Sequence, residues 1–337
     1  MENLIIITDP NKDPDDLVTL IAANTLAKEK IAQIKGIIVT LGNFTTRKKR
    51  ALYAKGALKL TGLDIPVAVG MDYKYASKAR EINDQVSLHA EELPHERAGI
   101  GDSDIIYDTE SFVLKTVQEA DDNTLTFIII AGMRDFYTLI RNYPYLVKQK
   151  TKRVSIMGGI GFDWKGTVTA SKTSYNNTTD IEASQGTYQI LQAFDIPTVI
   201  INREAVYKAP LTKEFYIELN KTGHYLASHL YGIHRQFIIE MFDMIAYGEV
   251  LKPRTLSWFF KTFTTLSEDS TERNIDVIWD HTWYVHLYDP MTLVAAIGLY
   301  DSFFVEQKRG NFIFKTPKCR KSISELFYRL TSKSLKA

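Results

Sequence analysis

Six short aliphatic runs, at 4–7, 34–40, 65–69, 126–130, 154–157 and 198–201, alternate with stretches of helical periodicity through the first two-thirds of the chain. The intervening patterns predict helices over about 15–28, 46–61, 109–119, 133–142 and 181–193. Strand and helix in strict alternation imply an α/β fold: a mostly parallel central sheet with helices on both faces. With 337 residues, 45% of them hydrophobic, the chain can fill one large core. We expect a single domain over 1–337, because no Pro/Gly/Ser-rich linker interrupts it. From about 211 to 266 the pattern turns helical and aromatic, as in "EFYIELNKTGHYLASHLYGIHRQFIIEMF", which reads as a helical insertion over the carboxyl ends of the strands. The basic end, "KTPKCRKSISELFYRLTSKSLKA", reads as a solvated amphipathic helix.

Charge narrows the class of partner. Forty-one basic residues balance 40 acidic ones, so no global field draws the chain to nucleic acid or a membrane surface, and a small neutral or singly charged ligand suits it better. The one cysteine, Cys319, excludes an internal disulfide and a cysteine-based zinc site. No apolar run reaches the roughly 18 residues of a membrane span, and no leader pattern opens the chain, so a cytoplasmic location is expected. Oligomeric state is left open, with a homo-oligomer compatible with the sequence.

The first aliphatic run ends in "TDPNKDPDDLVTL", which places Asp9, Asp13, Asp15 and Asp16 within eight residues. In an open parallel sheet this is where ligands bind, beyond the carboxyl ends of the strands. Four carboxylates so close repel one another unless a cation or solvent intervenes. Calcium accepts six to eight oxygen ligands at flexible angles, so it fits a carboxylate-rich loop better than magnesium does. Helix capping by the same aspartates is the competing explanation. A second acidic feature, Asp289 before Pro290 in "HLYDPMTLVAAIGLYD", has the look of a helix start by itself.

Taken in order with "VTLGNFTT", "IIIAGMRDF" and "SIMGGIGFDWKGTVTASKTSYNNTTDIEAS", these segments resemble the nucleoside hydrolase superfamily, the calcium-dependent N-ribohydrolases of the inosine-uridine type. The resemblance runs from Ile5 to about Tyr300 and marks this chain as a divergent branch. The family's opening loop is Asp-x-Asp-Pro-Gly-x-Asp-Asp; here it reads Asp-x-x-x-Asp-Pro-Asp-Asp, and Asn11-Lys12 replaces its glycine region. The resemblance implies a bound Ca²⁺ held by Asp9, Asp16, the Ala131 carbonyl and Asp289, with Asp9 also the general base. It assigns Asp15, Asn43 and Asn176 to the ribose, with Asn177 the alternative if the loop is shifted by one. The implied reaction is hydrolysis of an N-ribosyl bond in a nucleoside or related ribosyl compound, through an oxocarbenium-like transition state.

Two departures concern the rest of the substrate. Tyr288 stands where the family has the histidine that protonates the leaving group, and a phenol with a reference pKa near 10 is a poorer donor at neutral pH. His286 or His281 is the candidate to replace it, against the plainer role of a packed histidine. Ser174 falls at the family's glutamate for the ribose 5′ hydroxyl, and Thr167 near its other 5′ contact. A 5′-substituted ribosyl compound, its anionic group met by Lys12, Lys172 or Arg134, therefore stands beside a plain nucleoside as the substrate. A weakly active or inactive relative that binds a ribosyl ligand or a protein partner is the reading from a different class. Trp258, Trp279, Trp283 and Tyr247 are candidates to stack on a base, with core packing the stronger explanation for each. "MGGIG" at 157–161 lacks the lysine of a phosphate loop and reads as tight backbone packing, and His95 falls in an expected exposed loop.

Overall fold

The computed structural model describes residues 1–10, 13–71, 92–248 and 254–336. Among these, the strands of the main sheet are β1 (Glu2–Thr8), β2 (Ala32–Val39), β3 (Val67–Val69), β4 (Leu125–Ile129), β5 (Thr151–Met157), β8 (Thr198–Ile201), β11 (Phe304–Arg309) and β12 (Phe312–Pro317). Two short pairs, β6 (Ile160–Phe162) with β7 (Val168–Ala170) and β9 (Leu211–Thr212) with β10 (Tyr284–Val285), stand apart from it. The main sheet is ordered β11–β12–β8–β5–β4–β1–β2–β3, and every pair is parallel except β11–β12.

Alternation along β1 divides the core. Leu4 and Ile6 join Leu17, Ile21, Leu293 and Phe327 on one face, while Ile5 and Ile7 join Phe127, Phe136 and Val154 on the other. Helices cover both faces, so each central strand reads as a continuous aliphatic run rather than an alternating one. The five helices anticipated from periodicity are found at Asp15–Lys28, Phe44–Leu60, Thr109–Glu119, Arg134–Asn142 and Ile181–Ala193.

Register then builds a common edge. Thr8 pairs with Val39, Ile7 with Ile129, Ile129 with Ile156 and Met157 with Ile201. The strands therefore end level, and the residues that follow them, Asp9, Thr40, Ile130, Gly158 and Asn202, emerge side by side. The chain proceeds from β1 to β2 and β3 on one side, whereas β4 lies on the other. The crevice between β1 and β4 is thus a point where strand order reverses, the place where open α/β sheets take ligands.

Three expectations need correction. The helical region extends past 266, with helices at Glu214–Asn220, Tyr225–Ala246, Leu256–Phe263 and Ile275–His281, and the β9–β10 pair clasps its two ends. Its aromatic residues form a separate core of Ile238, Phe242, Phe259, Phe260, Ile278 and Trp279. The last helix, Arg320–Leu335, is amphipathic but not merely solvated. Ile323, Phe327 and Leu330 are buried, and Thr25 and Asn24 of the first helix bond the Leu330 carbonyl and Ser334 Oγ. The start of the basic end, Lys315–Pro317, is the end of β12, which joins the sheet beside β8 through a hairpin that periodicity did not reveal. His95 lies in a short helix, Pro94–Ala98, whose backbone packs so closely on Gly56 that a Cβ there would stand 2.4 Å from the His95 backbone. Lys12 and residues 72–91 lie outside the described residues. No described helix is long and apolar enough to cross a membrane.

Candidate metal and ribosyl site

Pro14 ends the Asp9 loop and the first helix begins at once with Asp15 and Asp16, whose side chains are 5% and 4% exposed. Asp289, 5% exposed, begins the helix Tyr288–Ala296, which packs on the same face of the sheet. These three carboxylates converge: each offers an oxygen within 4.8 Å of the others, forming the buried cluster suited to a metal ion. Asp16 is fixed by Thr8 Oγ1, which donates to its Oδ1, and by the Asp9 main-chain N–H at 3.1 Å to the same oxygen. The Asp289 main-chain N–H steadies Asp15 in turn.

Burial and mutual repulsion dominate the electrostatics. Burial first, then the charge of Asp13, pushes Asp16 up to about 6, against the pull of the Thr8 hydrogen bond. Asp15 is pushed up by burial and then by the charges of Asp13 and Asp16, and Asp289 by burial and then by the charges of Asp15, Asp16, Asp9 and Asp13. Asp9 is raised by burial and Asp16, but it occupies a different place: its Oδ2 lies 3.7 Å from Arg50 Nη1, and it is not one of the three converging carboxylates. Arg50 is fully buried, and sequence reasoning passed over it. The signal was present, since Arg47 and Arg50 extend the otherwise apolar stripe Ala51, Ala54, Ala57 and Leu58 along one helix face.

The remaining candidates separate by their bonds. Ala131 is buried just beyond β4, and Asn176 Nδ2 donates 3.0 Å to the neighbouring Ile130 carbonyl, which brings Asn176 to the β4 end of the crevice. Asn177 is tied into the scaffold. Its amide donates to the carbonyls of Gly159 and Ser171 at 2.7 and 3.0 Å and accepts from the Tyr188 hydroxyl at 3.3 Å. The glycine run serves this packing, because a Cβ at Gly158 would stand 2.9 Å from the Tyr188 hydroxyl and 3.2 Å from Asn177 Oδ1. Asn43 caps the helix Phe44–Leu60, accepting from the Thr46 N–H at 2.9 Å. Ser174 precedes the short helix Tyr175–Thr179, with Lys172 exposed two residues earlier. Arg134 is committed elsewhere, forked onto buried Asp180 at 2.7 and 2.9 Å, and so does not meet a ligand anion.

Beside Asp289, Tyr288 and His286 form an aromatic group with Tyr207, whose ring centre lies 4.6 Å from that of His286 and 6.4 Å from that of Tyr288. Phe263 meets His286 edge-on at 5.8 Å. Burial lowers His286 to about 4 and raises the Tyr288 phenol well above its usual value. Both are neutral at pH 7. His281 is exposed and engaged with Thr265 Oγ1 at 3.0 Å. Trp279 packs in the helical core, with the Lys213 ammonium 4.8 Å from its ring centre, whereas Tyr247 is exposed.

The level sheet edge, the strand-order reversal and the buried acidic cluster at that reversal make this an open α/β protein with a site suited to a cation. The sequence model of the inosine-uridine preferring nucleoside hydrolases matches residues 4–323, and the chain belongs to that family. Among solved structures it is similar to the type III effector XopQ, crystallised with adenosine diphosphate ribose. The two are 28% identical with a TM-score of 0.87, over 99% of this chain and 94% of that one. The effector XOO4466 is similar at 27% identity and a TM-score of 0.86, with the same coverage. The purine-preferring ribonucleoside hydrolase from Gardnerella vaginalis shares the fold, at 14% identity and a TM-score of 0.66 over 99% of both chains. No curated protein sequence matches.

Proposed function

We propose that this protein is a calcium-dependent hydrolase of N-ribosyl bonds. The observation that carries the reading is the convergence of Asp15, Asp16 and Asp289, buried and mutually repelling, at the strand-order reversal. Asp16, Asp289, the Ala131 carbonyl and Asp9 would hold the ion, with Asp15 within reach of both ion and ribose. Bound there, a divalent cation would fix the ribose 2′ and 3′ hydroxyls and make water more acidic. Asp9 takes the water's proton, a role suited to a carboxylate beside the converging three rather than among them. Asn176, Asn43 and Asp15 position the ribose, and the surrounding negative charge favours the cation that develops on the sugar.

The leaving-group side favours a narrower substrate. Neither His286 nor Tyr288 carries an acidic proton at pH 7, so a base that departs only when protonated is cleaved slowly. At the other end of the ribose, Ser174 and Lys172 replace an acidic environment with a hydroxyl and a cation, which suits a phosphate on the 5′ oxygen. The likeness to an effector crystallised with adenosine diphosphate ribose supports the same choice, and it also supports a ligand-binding role without turnover. The test combines calorimetry with adenosine diphosphate ribose and turnover of inosine, uridine and p-nitrophenyl riboside, each with calcium and with EDTA. Calcium-dependent cleavage of the activated riboside well above that of inosine is expected. Tight ligand binding with no cleavage of any of them leaves the binding role; calcium-independent behaviour throughout removes the metal reading.

A further inference from the structure

Arg50 joins two loops that the sheet edge sets side by side. Its Nη1 donates to the carbonyls of Thr40 and Leu41 at 3.3 and 3.1 Å, and the same nitrogen lies 3.7 Å from Asp9 Oδ2. The loop it grips is a strained one. Leu41 holds a left-handed φ of 69°, followed by Gly42 at 93°, before the chain reaches Asn43. A leucine in that region persists only where its surroundings enforce it. Arg47, one turn earlier, adds bonds to the Gly42 and Gly70 carbonyls at 2.5 and 2.8 Å. Yet Arg50 is less satisfied than a purely structural arginine: its Nε is buried and has no hydrogen-bond partner among the described residues. A wholly buried guanidinium needs anionic company, and the acidic cluster supplies it, with Asp9 and Asp16 both stabilised by its charge.

We propose that Arg50 is a positioning residue of the cation site, a fixed positive charge that holds the Asp9 loop to the Asn43 loop and sets the affinity for the divalent ion by repelling it. The inference rests on the reading that the aspartate cluster holds such an ion. In the ion's absence the guanidinium offsets part of the crowded negative charge; in its presence the two cations compete for the same carboxylates. A staple that only supports the loops predicts weaker ion binding when it is cut. A resident charge predicts the opposite sign.

The experiment measures calcium binding by calorimetry and melting temperature in EDTA and in calcium for the full chain and for Arg50→Met, Arg50→Gln and Arg50→Lys. Both neutral variants are expected to melt earlier in EDTA, to bind calcium about tenfold more tightly, and to gain more in melting temperature from calcium than the unaltered protein does. Arg50→Lys keeps the charge on a shorter side chain without the planar guanidinium, so its calcium affinity stays within about threefold of the original. Arg50→Gln keeps the test open if Arg50→Met does not fold, and a neutral variant that folds only with calcium supports the proposal. Unchanged or weaker calcium binding in the neutral variants overturns it, as does equal tightening in Arg50→Lys. Failure of the unaltered protein to bind calcium or any other divalent ion overturns the metal reading itself and this inference with it.

Discussion

At the strand ends, Asp9, Asp15, Asp16 and Asp289 are acids driven by burial toward their protonated forms. In the helical region, His229 and His234 are bases driven by burial toward their neutral forms, lowered to about 4 and about 3. One region shares repulsion among like charges in a cluster suited to a cation. The other keeps its buried histidines uncharged. His229 meets the Tyr53 hydroxyl at 2.9 Å, while His234 lies against Tyr216, tilted by 30°, and meets Trp279 edge-on. The difference teaches where ion chemistry belongs in this fold: on the sheet edge, where backbone and helix starts hold carboxylates together, and not among the cap's histidines.

The largest effect should come from the strand ends. Asp9→Asn is expected to lower turnover of p-nitrophenyl riboside by about 10²-fold or more while the melting temperature stays level or rises, because an amide relieves repulsion without emptying the site. Single-turnover kinetics beside thermal melting checks both halves. Turnover within a few-fold of the original would move the base to Asp13 or Asp15.

Next in size is the contrast between two adjacent asparagines. Asn177→Ala removes an amide that serves the Gly159 and Ser171 carbonyls and the Tyr188 hydroxyl, and is expected to destabilise by about 2 kcal/mol. Asn176→Ala should lose less than half of that in stability but weaken ribosyl ligand binding at least as strongly as it weakens the fold. Denaturant melts and ligand titration on both variants decide which asparagine faces the sugar; the reverse pattern would assign the ribose to Asn177.

These two regions were unequally legible. The sheet followed from its aliphatic runs, since strands buried on both faces carry a strong signal, and the aspartates stood out because four acids in eight residues need an explanation. The β11–β12 hairpin did not show, as most of β11, "FVEQKR", is exposed and charged on the sheet's edge. Arg50 was hidden by its setting in "TTRKKRALYAK", where a basic run suggests a solvated helix start although Arg47, Arg50 and Lys55 are buried. The end helix was misjudged in the same way, its lysines and arginines drawing attention from the spacing of Ile323, Phe327 and Leu330. The cap could be recognised as helical and aromatic, but which of its rings pack on one another is a tertiary fact that local pattern does not carry.

Solution pH should set the regions against each other. Asp16 has a folded value of about 6 against 3.8 for the free side chain, so its contribution is fully present below 3.8 and is lost as pH rises through 6. The histidines run the other way: lowered from 6.5 to about 4 and about 3, they stabilise above 6.5, and that stability is lost as pH falls through the folded values. In EDTA the two trends offset between pH 4 and 6.5, giving a shallow dependence of melting temperature. Calcium cancels the repulsion among the aspartates and leaves the histidines exposed to acid, so the melting temperature with calcium should fall by on the order of 4 °C across that window. Parallel curves with and without calcium would show that the ion does not engage the carboxylate cluster.

The smallest effect tests whether the cap is as inert as its neutrality implies. His234 is 2% exposed, and its Nε2 has no hydrogen-bond partner among the described residues, although Tyr216 lies 4.5 Å away in a near-stacked arrangement. A phenylalanine keeps the ring contacts with Tyr216 and Trp279 and removes a buried polar atom that nothing satisfies. His234→Phe should therefore stabilise by about 1 kcal/mol, a rise of roughly 2 °C in a chain of this length, and should abolish part of the acid sensitivity seen with calcium. Ligand affinity should stay as it was, since the substituted ring keeps the contacts of the original with Tyr216 and Trp279. A fall in melting temperature would mean that His234 holds an ordered water in the cap. A fall in ribosyl affinity without loss of stability would break the comparison outright, because the helical region would then supply a polar contact to the ligand rather than an apolar wall.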